Sequence, residues 1–258
     1  MSLSLGTGPL AGSPAGHFNF DLSGAPAHRI YFADHPARLR AVVAGATILD
    51  TTRGKLLYET GIPPVPYVPL EDLDQTLLER TDSSTHCPFK GDASYWTLRA
   101  GDRVETDFVW AYESPLPEAS WLEGYAALYW KRVDDIYVED ERAFGHLRDP
   151  FHRVDALESS RRVRVTLNGE AVAESSRPVM VFETGLPPRP YLPRADVKPG
   201  VLAPSETRSI CPYKGEASYW SVAGIEDGAW SYETPLPEAL RAAGHVSFDG
   251  TGIEVEVH

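Results

Sequence analysis

The sequence predicts a mainly β protein: two tandem copies of one small domain, each with only short helices. Three observations carry this. The chain aligns with itself at a fixed offset of 124 residues. Apolar and polar residues alternate with the period of a strand in several segments. Glycine and proline are frequent, 21 and 22 residues, and punctuate those segments at close intervals.

The repeat is read block by block. Tyr58 to Pro69 (YETGIPPVPYVP) matches Phe182 to Pro193 (FETGLPPRPYLP) at 8 of 12 positions. Thr85 to Trp96 (THCPFKGDASYW) matches Ser209 to Trp220 (SICPYKGEASYW), again at 8 of 12. After a short deletion the offset becomes 120, and Trp110 to Ala119 matches Trp230 to Ala239 at 8 of 10. Pro26, His28 and Arg29 pair with Pro150, His152 and Arg153 upstream, and Arg38 and Arg40 with Arg162 and Arg164. The expected organisation is a tail at 1–23, a first domain at 24–147 and a second at 148–258. Shared residues between two copies reflect common ancestry first, so positions where the copies differ carry the sharper information.

Individual elements follow in chain order. Residues 1–20 hold no Lys or Arg, so the positive segment of a secretory signal is missing, and their Gly, Ser, Ala and Pro content predicts a flexible tail. Leu56–Thr60, Ser94–Leu98, Val109–Glu113 and Ile136–Glu139 alternate as strands. Ile62–Pro69 is extended, and its prolines cannot donate to a ladder, which predicts a crossing at a sheet end or the lining of an opening. Glu71–Arg80, with Leu73, Leu77 and Leu78, has the spacing of one or two helical turns. Pro117–Leu122 and Pro237–Ala242 each start with proline, as helices do. Val163, Val165 and Leu167 alternate up to Asn168-Gly169, the residues a type I′ hairpin turn requires, and Ala44-Gly45 repeats the pattern.

Composition limits the partners. A net charge of −13 argues against a nucleic-acid backbone, which needs a concentrated basic face. No apolar run approaches the roughly 18 residues of a membrane span. Each copy has one cysteine, Cys87 or Cys211, with no second cysteine at metal-ligand spacing; a reducing, cytoplasmic setting fits. The two repeats are expected to pack on each other.

Chemistry concentrates in Cys87-Pro88-Phe89-Lys90-Gly91 and Cys211-Pro212-Tyr213-Lys214-Gly215. Proline stiffens the residue before it and glycine permits a sharp turn, so Cys and Lys project from a defined loop. The chain has 19 Arg and 5 Lys, and two of the five Lys fill this one position. Lys90 and Lys214 therefore stand as ligand contacts, against the plainer alternative of a turn-capping lysine paired with Glu59 or Glu183. Cys87 and Cys211 read first as small buried hydrophobes; the neighbouring His86 becomes Ile210 in the second copy, which discounts a Cys-His pair. Trp110 shares a strand face with Tyr112, and Trp230 with Tyr232, whereas Tyr95 and Trp96, like Tyr219 and Trp220, point to opposite faces. These rings are either core or the floor of a pocket. Arg53 and Arg177 complete the set: with Lys90 and Lys214 they would hold a small anionic molecule, and Glu59 or Glu183 would orient one of them. His28 and His152 lie at the domain entrances, where packing between domains is the expected role.

Together these residues resemble an uncharacterised family, domain of unknown function 427. Its pattern runs Arg, Glu, Pro-rich-Tyr-x-Pro, Cys-Pro-Tyr-Lys-Gly-x-Ala-x-Tyr-Trp, then Trp-x-Tyr and a trailing Pro. The second copy carries it as Arg177, Glu183, Tyr191-Leu192-Pro193, Cys211 to Trp220, Trp230, Tyr232 and Pro237. The first carries it as Arg53, Glu59, Tyr67-Val68-Pro69, Cys87 to Trp96, Trp110, Tyr112 and Pro117, with Phe89 in place of Tyr. The resemblance implies a β-tent fold similar to Mss4-like metal-binding domains; their paired Cys-x-x-Cys ligands are absent, so no zinc is expected. The family is also labelled nucleotidyltransferase-like, yet the chain has neither a Gly-Ser with paired Asp for two metals nor a phosphate-binding Gly-rich loop. Catalytic residues and cofactor stay unassigned. A small-molecule site in each domain leads, with a structural or protein-interaction module and a nucleotidyltransferase as alternatives.

Overall fold

The computed structural model describes residues 3–22 and 24–258. The described chain is mainly strand, with a few 3-10 turns, and divides into two compact units, 3–147 and 148–258.

The first unit holds β1 (Ile30–Asp34), β2 (Leu39–Val43), β3 (Ala46–Thr51), β4 (Lys55–Glu59), β5 (Ile62–Pro69) and β6 (Leu78–Cys87). β7 (Gly91–Ala100), β8 (Arg103–Ala111), β9 (Tyr125–Leu128), β10 (Asp135–Val138) and β11 (Glu141–Arg142) complete it. The second holds β12 (Val154–Glu158), β13 (Val163–Leu167), β14 (Glu170–Ser175), β15 (Val179–Glu183) and β16 (Arg189–Pro193). β17 (Leu202–Cys211), β18 (Gly215–Val222), β19 (Ile225–Tyr232), β20 (His245–Phe248) and β21 (Ile253–Val257) follow.

Each unit is a large antiparallel sheet beside a small one. The large sheets run β1-β4-β5-β9-β8-β7-β6 and β12-β15-β16-β20-β19-β18-β17, the same order twice. The small sheets are β11-β10-β2-β3 and β14-β13-β21. The first hairpin of each small sheet turns where the sequence demands it. Ala44 and Gly45 have φ of 49° and 77°, Asn168 and Gly169 of 52° and 87°, the left-handed pair of a type I′ turn.

Strand alternation gives each large sheet two apolar faces. In the first unit Leu39, Ala41, Ile48 and Leu49 of the small sheet pack with Val68, Trp96, Leu98 and Phe108 of the large one. On the opposite face Leu57, Tyr67, Ala93, Tyr112 and Ala127 pack beneath Ala119 and Leu122 of the 3-10 segment Pro117–Leu122. The second unit repeats both clusters.

One expectation changes. Ile62–Pro69 does not cross a sheet end: it is β5, an interior strand between β4 and β9. Pro66 shows how a proline is tolerated there. Pro66 directs its carbonyl to the indole N–H of Trp130 at 3.2 Å, and its nitrogen shares that side, where no donor is required. Glu71–Arg80 supplies two short helical turns, within the one or two expected. Leu70–Asp72 and Gln75–Leu77 are separate 3-10 turns, with Leu73 buried in the core, and β6 begins at Leu78.

Residues 3–11 turn back onto the first unit. Ser4 is fully buried, donates from Oγ to the Ile62 carbonyl at 2.9 Å and accepts from Gly61 N–H at 2.8 Å. Thr60 Oγ1 donates to the Leu10 carbonyl at 2.8 Å, and Arg29 donates to that of Ala11 at 2.6 Å. No helix among the described residues is long and apolar enough to cross a membrane.

Candidate functional site

β6 and β7 are closed by the turn Cys87 to Gly91, with Cys87 opposite Gly91. The Lys90 N–H donates to the Cys87 carbonyl at 3.3 Å, and Gly91 adopts φ of 102°, a conformation that favours glycine. The Lys90 carbonyl then accepts from Leu116 N–H at 3.0 Å, tying the turn to the Pro117 segment. The second unit repeats each step: Lys214 to Cys211 at 3.3 Å, Gly215 at 99°, and Leu236 to Lys214 at 3.0 Å. Backbone geometry thus turns the lysine inward.

What it meets is a carboxylate. Lys90 Nζ donates to Glu59 Oε1, at the end of β4, while His28 Nε2 lies 3.1 Å from Glu59 Oε2. Lys90 and Glu59 retain only 7% and 6% exposure. In the second unit Lys214 donates to Glu183 Oε2, and His152 Nε2 lies 3.0 Å from Oε1. Burial alone would raise the Glu183 pKa, but bonds from His152 and Lys214 overcome it and hold the carboxyl down at about 2. A buried His-Glu-Lys triad therefore joins the chain entry, β4 or β15, and the Cys-Pro turn. His28 and His152 were read as packing residues; the signal that could have found them is their repetition at the offset that relates the lysines.

Around each triad stands an aromatic wall. The Lys90 ammonium lies 5.6 Å from the ring centre of Tyr112, and Lys214 lies 6.0 Å from that of Tyr232. Trp110 donates its indole N–H to Tyr67 Oη at 3.3 Å, and Trp230 to Tyr191 at 2.9 Å. Tyr95 Oη pairs with Thr85 Oγ1 at 2.7 Å, and Tyr219 with Ser209 at 3.0 Å. Cys87 and Cys211 are half-buried members of the same clusters, and neither forms a disulfide. Desolvation drives the phenols of Tyr67, Tyr112, Tyr191 and Tyr232 well above the ordinary tyrosine pKa, so they stay protonated.

The position after Cys-Pro separates the copies. Tyr213 accepts from Asp149 N–H at 2.7 Å through its hydroxyl, and burial pushes its pKa up to about 12. Phe89 lacks that hydroxyl, although both rings pack on the triad histidine, Phe89 on His28 at 4.1 Å and Tyr213 on His152 at 4.0 Å between ring centres.

Glu59, Cys87, Lys90, Tyr95, Trp110 and Tyr112 thus share one face of the large sheet, as do Glu183, Cys211, Lys214, Tyr219, Trp230 and Tyr232. Trp96 and Trp220 occupy the opposite face, packed toward the small sheet and covered by Arg80 at 5.9 Å and Arg194 at 4.5 Å. The arginines are separate as well. Arg53 is exposed and pairs with Asp72, which also accepts from Thr51; Arg177 pairs with Asp196 at 3.2 Å, which also accepts from Ser175. The five-residue strand β4 intervenes between Arg53 and the triad, about 13 Å of extended chain. Among the described residues, no three His, Cys, Asp or Glu side chains gather so as to hold a metal ion.

Comparison with curated proteins gives no match. A family model described as Domain of unknown function (DUF427) matches twice, over residues 32–139 and 155–258, and each match contains the strands and the turn just described. The chain therefore belongs to the DUF427 family, as a tandem-repeat member.

Proposed function

We propose that each domain binds a small molecule on the tyrosine and tryptophan face beside the Cys-Pro-aromatic-Lys-Gly turn. The single observation that supports this most strongly is the phenol of Tyr112, repeated in Tyr232. The residues are 7% and 5% exposed, no hydrogen bond ties either hydroxyl to another described group, and neither oxygen is a fully buried orphan, so both are open to solvent at the edge of this face. Desolvation keeps these two protonated, so each can donate to an acceptor oxygen. Tyr95 and Trp110, or Tyr219 and Trp230, are half-buried and offer ring faces for stacking. A ring-bearing ligand with a carbonyl or carboxylate oxygen suits this combination.

The triad sets the charge preference. Lys90 and Glu59 cancel, so the ammonium is not a bare anion receptor; a carboxylate gains over a neutral carbonyl where His28 or His152 is protonated. Lys and Glu act as positioning residues that fix the turn. Two cysteines without a disulfide partner support a reducing compartment.

The test is a thermal-shift panel of aromatic and alicyclic carboxylic acids and amides, on the full chain and on a Tyr112→Phe, Tyr232→Phe variant. A ligand at a hundred times its dissociation constant stabilises the native state by about 2.7 kcal/mol. We expect a dose-dependent rise in the wild type that disappears in the variant, whose own melting temperature stays close to wild type. A rise of equal size in both proteins would remove the ligand from this face.

A further inference from the structure

The second domain contains a groove that the first domain has filled. It has a volume of about 700 Å³ and lies at the ends of β12, β15, β16 and β20. There Glu158 pairs with Val179 and Pro193 with His245. The first domain has the same register, Asp34 opposite Lys55 and Pro69 opposite Tyr125. Its version is occupied by its own side chains. Phe32 stacks on Trp121 with ring centres 5.0 Å apart and meets Tyr125 edge-on at 5.4 Å. Lys55 pairs with Asp34 and lies 5.8 Å from the Tyr125 ring centre.

At the equivalent positions the second domain has Ala156 for Phe32, Arg241 for Trp121, His245 for Tyr125 and Val179 for Lys55. Three rings and an ammonium give way to a methyl, an isopropyl, a guanidinium and an imidazole. The exchange removes bulk from the groove and replaces a paired ammonium by the Arg241 guanidinium. Arg241 is exposed and forms no ion pair or hydrogen bond with another described residue. Arg177 shares the wall and keeps Asp196 at 3.2 Å. Ser159, Ser160 and Ser176 bring hydroxyls to the same lining. Ser159 Oγ accepts from Arg161 N–H at 3.2 Å, which leaves its own proton to donate. Glu158 of the lining opposes an anion and Asp196 neutralises Arg177, which leaves the unpaired Arg241 guanidinium and three hydroxyls to receive it.

We propose that this groove binds a small phosphate monoester. A phosphoryl group presents three charged oxygens, which suit the forked guanidinium of Arg241 and the serine hydroxyls of the lining. Val179 and Pro193 provide an apolar wall for the organic part, and the volume falls in the range of small-molecule sites, about 300–1,000 Å³. The groove borders the apolar cluster that holds Tyr232, since Val179 belongs to it, but lies at the other end of β15 from the triad. Val179 and Glu183 stand at opposite ends of β15, about 13 Å apart at strand rise.

Titration calorimetry of the full chain with phenyl phosphate, and with phenol as the uncharged control, tests the proposal. We expect one saturable site for phenyl phosphate and none for phenol. Arg241→Ala should weaken binding by at least about tenfold, the effect of losing one charge-assisted contact. Arg241→Trp with His245→Tyr, which restores the first domain's residues, should abolish binding. If that double variant fails to fold, the single change at exposed Arg241 decides alone. Absence of saturable binding, equal binding of phenol, or undiminished affinity in Arg241→Ala overturns the proposal. Tyr232→Phe should leave phenyl phosphate binding unaltered, so the two sites fail independently.

Discussion

Replacing Glu183 by Gln removes the charge at the centre of the second triad while keeping its size and one acceptor oxygen. The magnitude follows from the structure. A carboxyl whose pKa falls from 4.5 to about 2 on folding contributes about 3 kcal/mol of native stability at neutral pH. Its side chain is 11% exposed, so solvent screens the interaction little. The variant also leaves the Lys214 ammonium, 13% exposed, without its counter-charge; breaking a buried pair costs about 3–5 kcal/mol. Both routes lead to a loss near 3 kcal/mol, or about a hundredfold in an opening equilibrium. Hydrogen exchange by mass spectrometry reads this domain by domain. Protection of amides in β15 and in the turn Cys211–Gly215 should fall about a hundredfold, with the first domain unchanged as internal control. The acid response carries the sign. Because the native pKa lies below the unfolded one, this stability is fully present above about pH 5 and is lost as pH falls through 4.5 towards 2. Glu183→Gln should lack that component. A loss below tenfold, or an acid slope in the second domain equal to wild type, would refute the triad as a charged, stabilising unit.

Two further outcomes follow from the same geometry. Replacing both partners, Glu183→Leu with Lys214→Met, should recover at least about 1 kcal/mol relative to Glu183→Gln, because no buried charge is left unpaired; thermal melts of the two variants compare them directly. Gly215→Ala places a side chain at φ of 99° and should cost about 1–3 kcal/mol, although the new methyl meets its neighbours at an ordinary 3.5 Å. Its signature is lower protection concentrated at residues 211–215.

Much of the fold was legible because it rests on local rules. Period-two alternation placed Tyr95 and Trp96 on opposite faces, and Asn168-Gly169 marked a turn that few other residue pairs can make. What escaped was set by distant partners. The prolines of Ile62–Pro69 argued against an interior strand, and only the position of Trp130 explains how Pro66 is accommodated. Leu73, Leu77 and Leu78 carry helical spacing, yet the sheet claims Leu78 for a strand. Arg53 and Lys90 are both conspicuous cations in sequence, and each has its own carboxylate, Asp72 or Glu59, because β4 stands between them. The differences at 32, 55, 121 and 125 are visible when the copies are aligned. They become meaningful only once sheet pairing shows that the four positions meet.

Duplication gives the triad a further consequence. His-Glu-Lys is chemically the same in both copies, so it has no means of distinguishing its own chain segment from the corresponding segment of its sister during folding. A turn from one copy that docked on the strand of the other would find the same charge partner. Discrimination has to come from places where the copies have diverged. The ring cluster of Phe32, Trp121 and Tyr125 is one: a segment bearing Ala156 in place of Phe32 would leave it short of a ring, and Phe32 set against Arg241 and His245 would stack on neither Trp121 nor Tyr125. The residues that differ most between the two domains thereby act as kin recognition, keeping each half of the chain with its own.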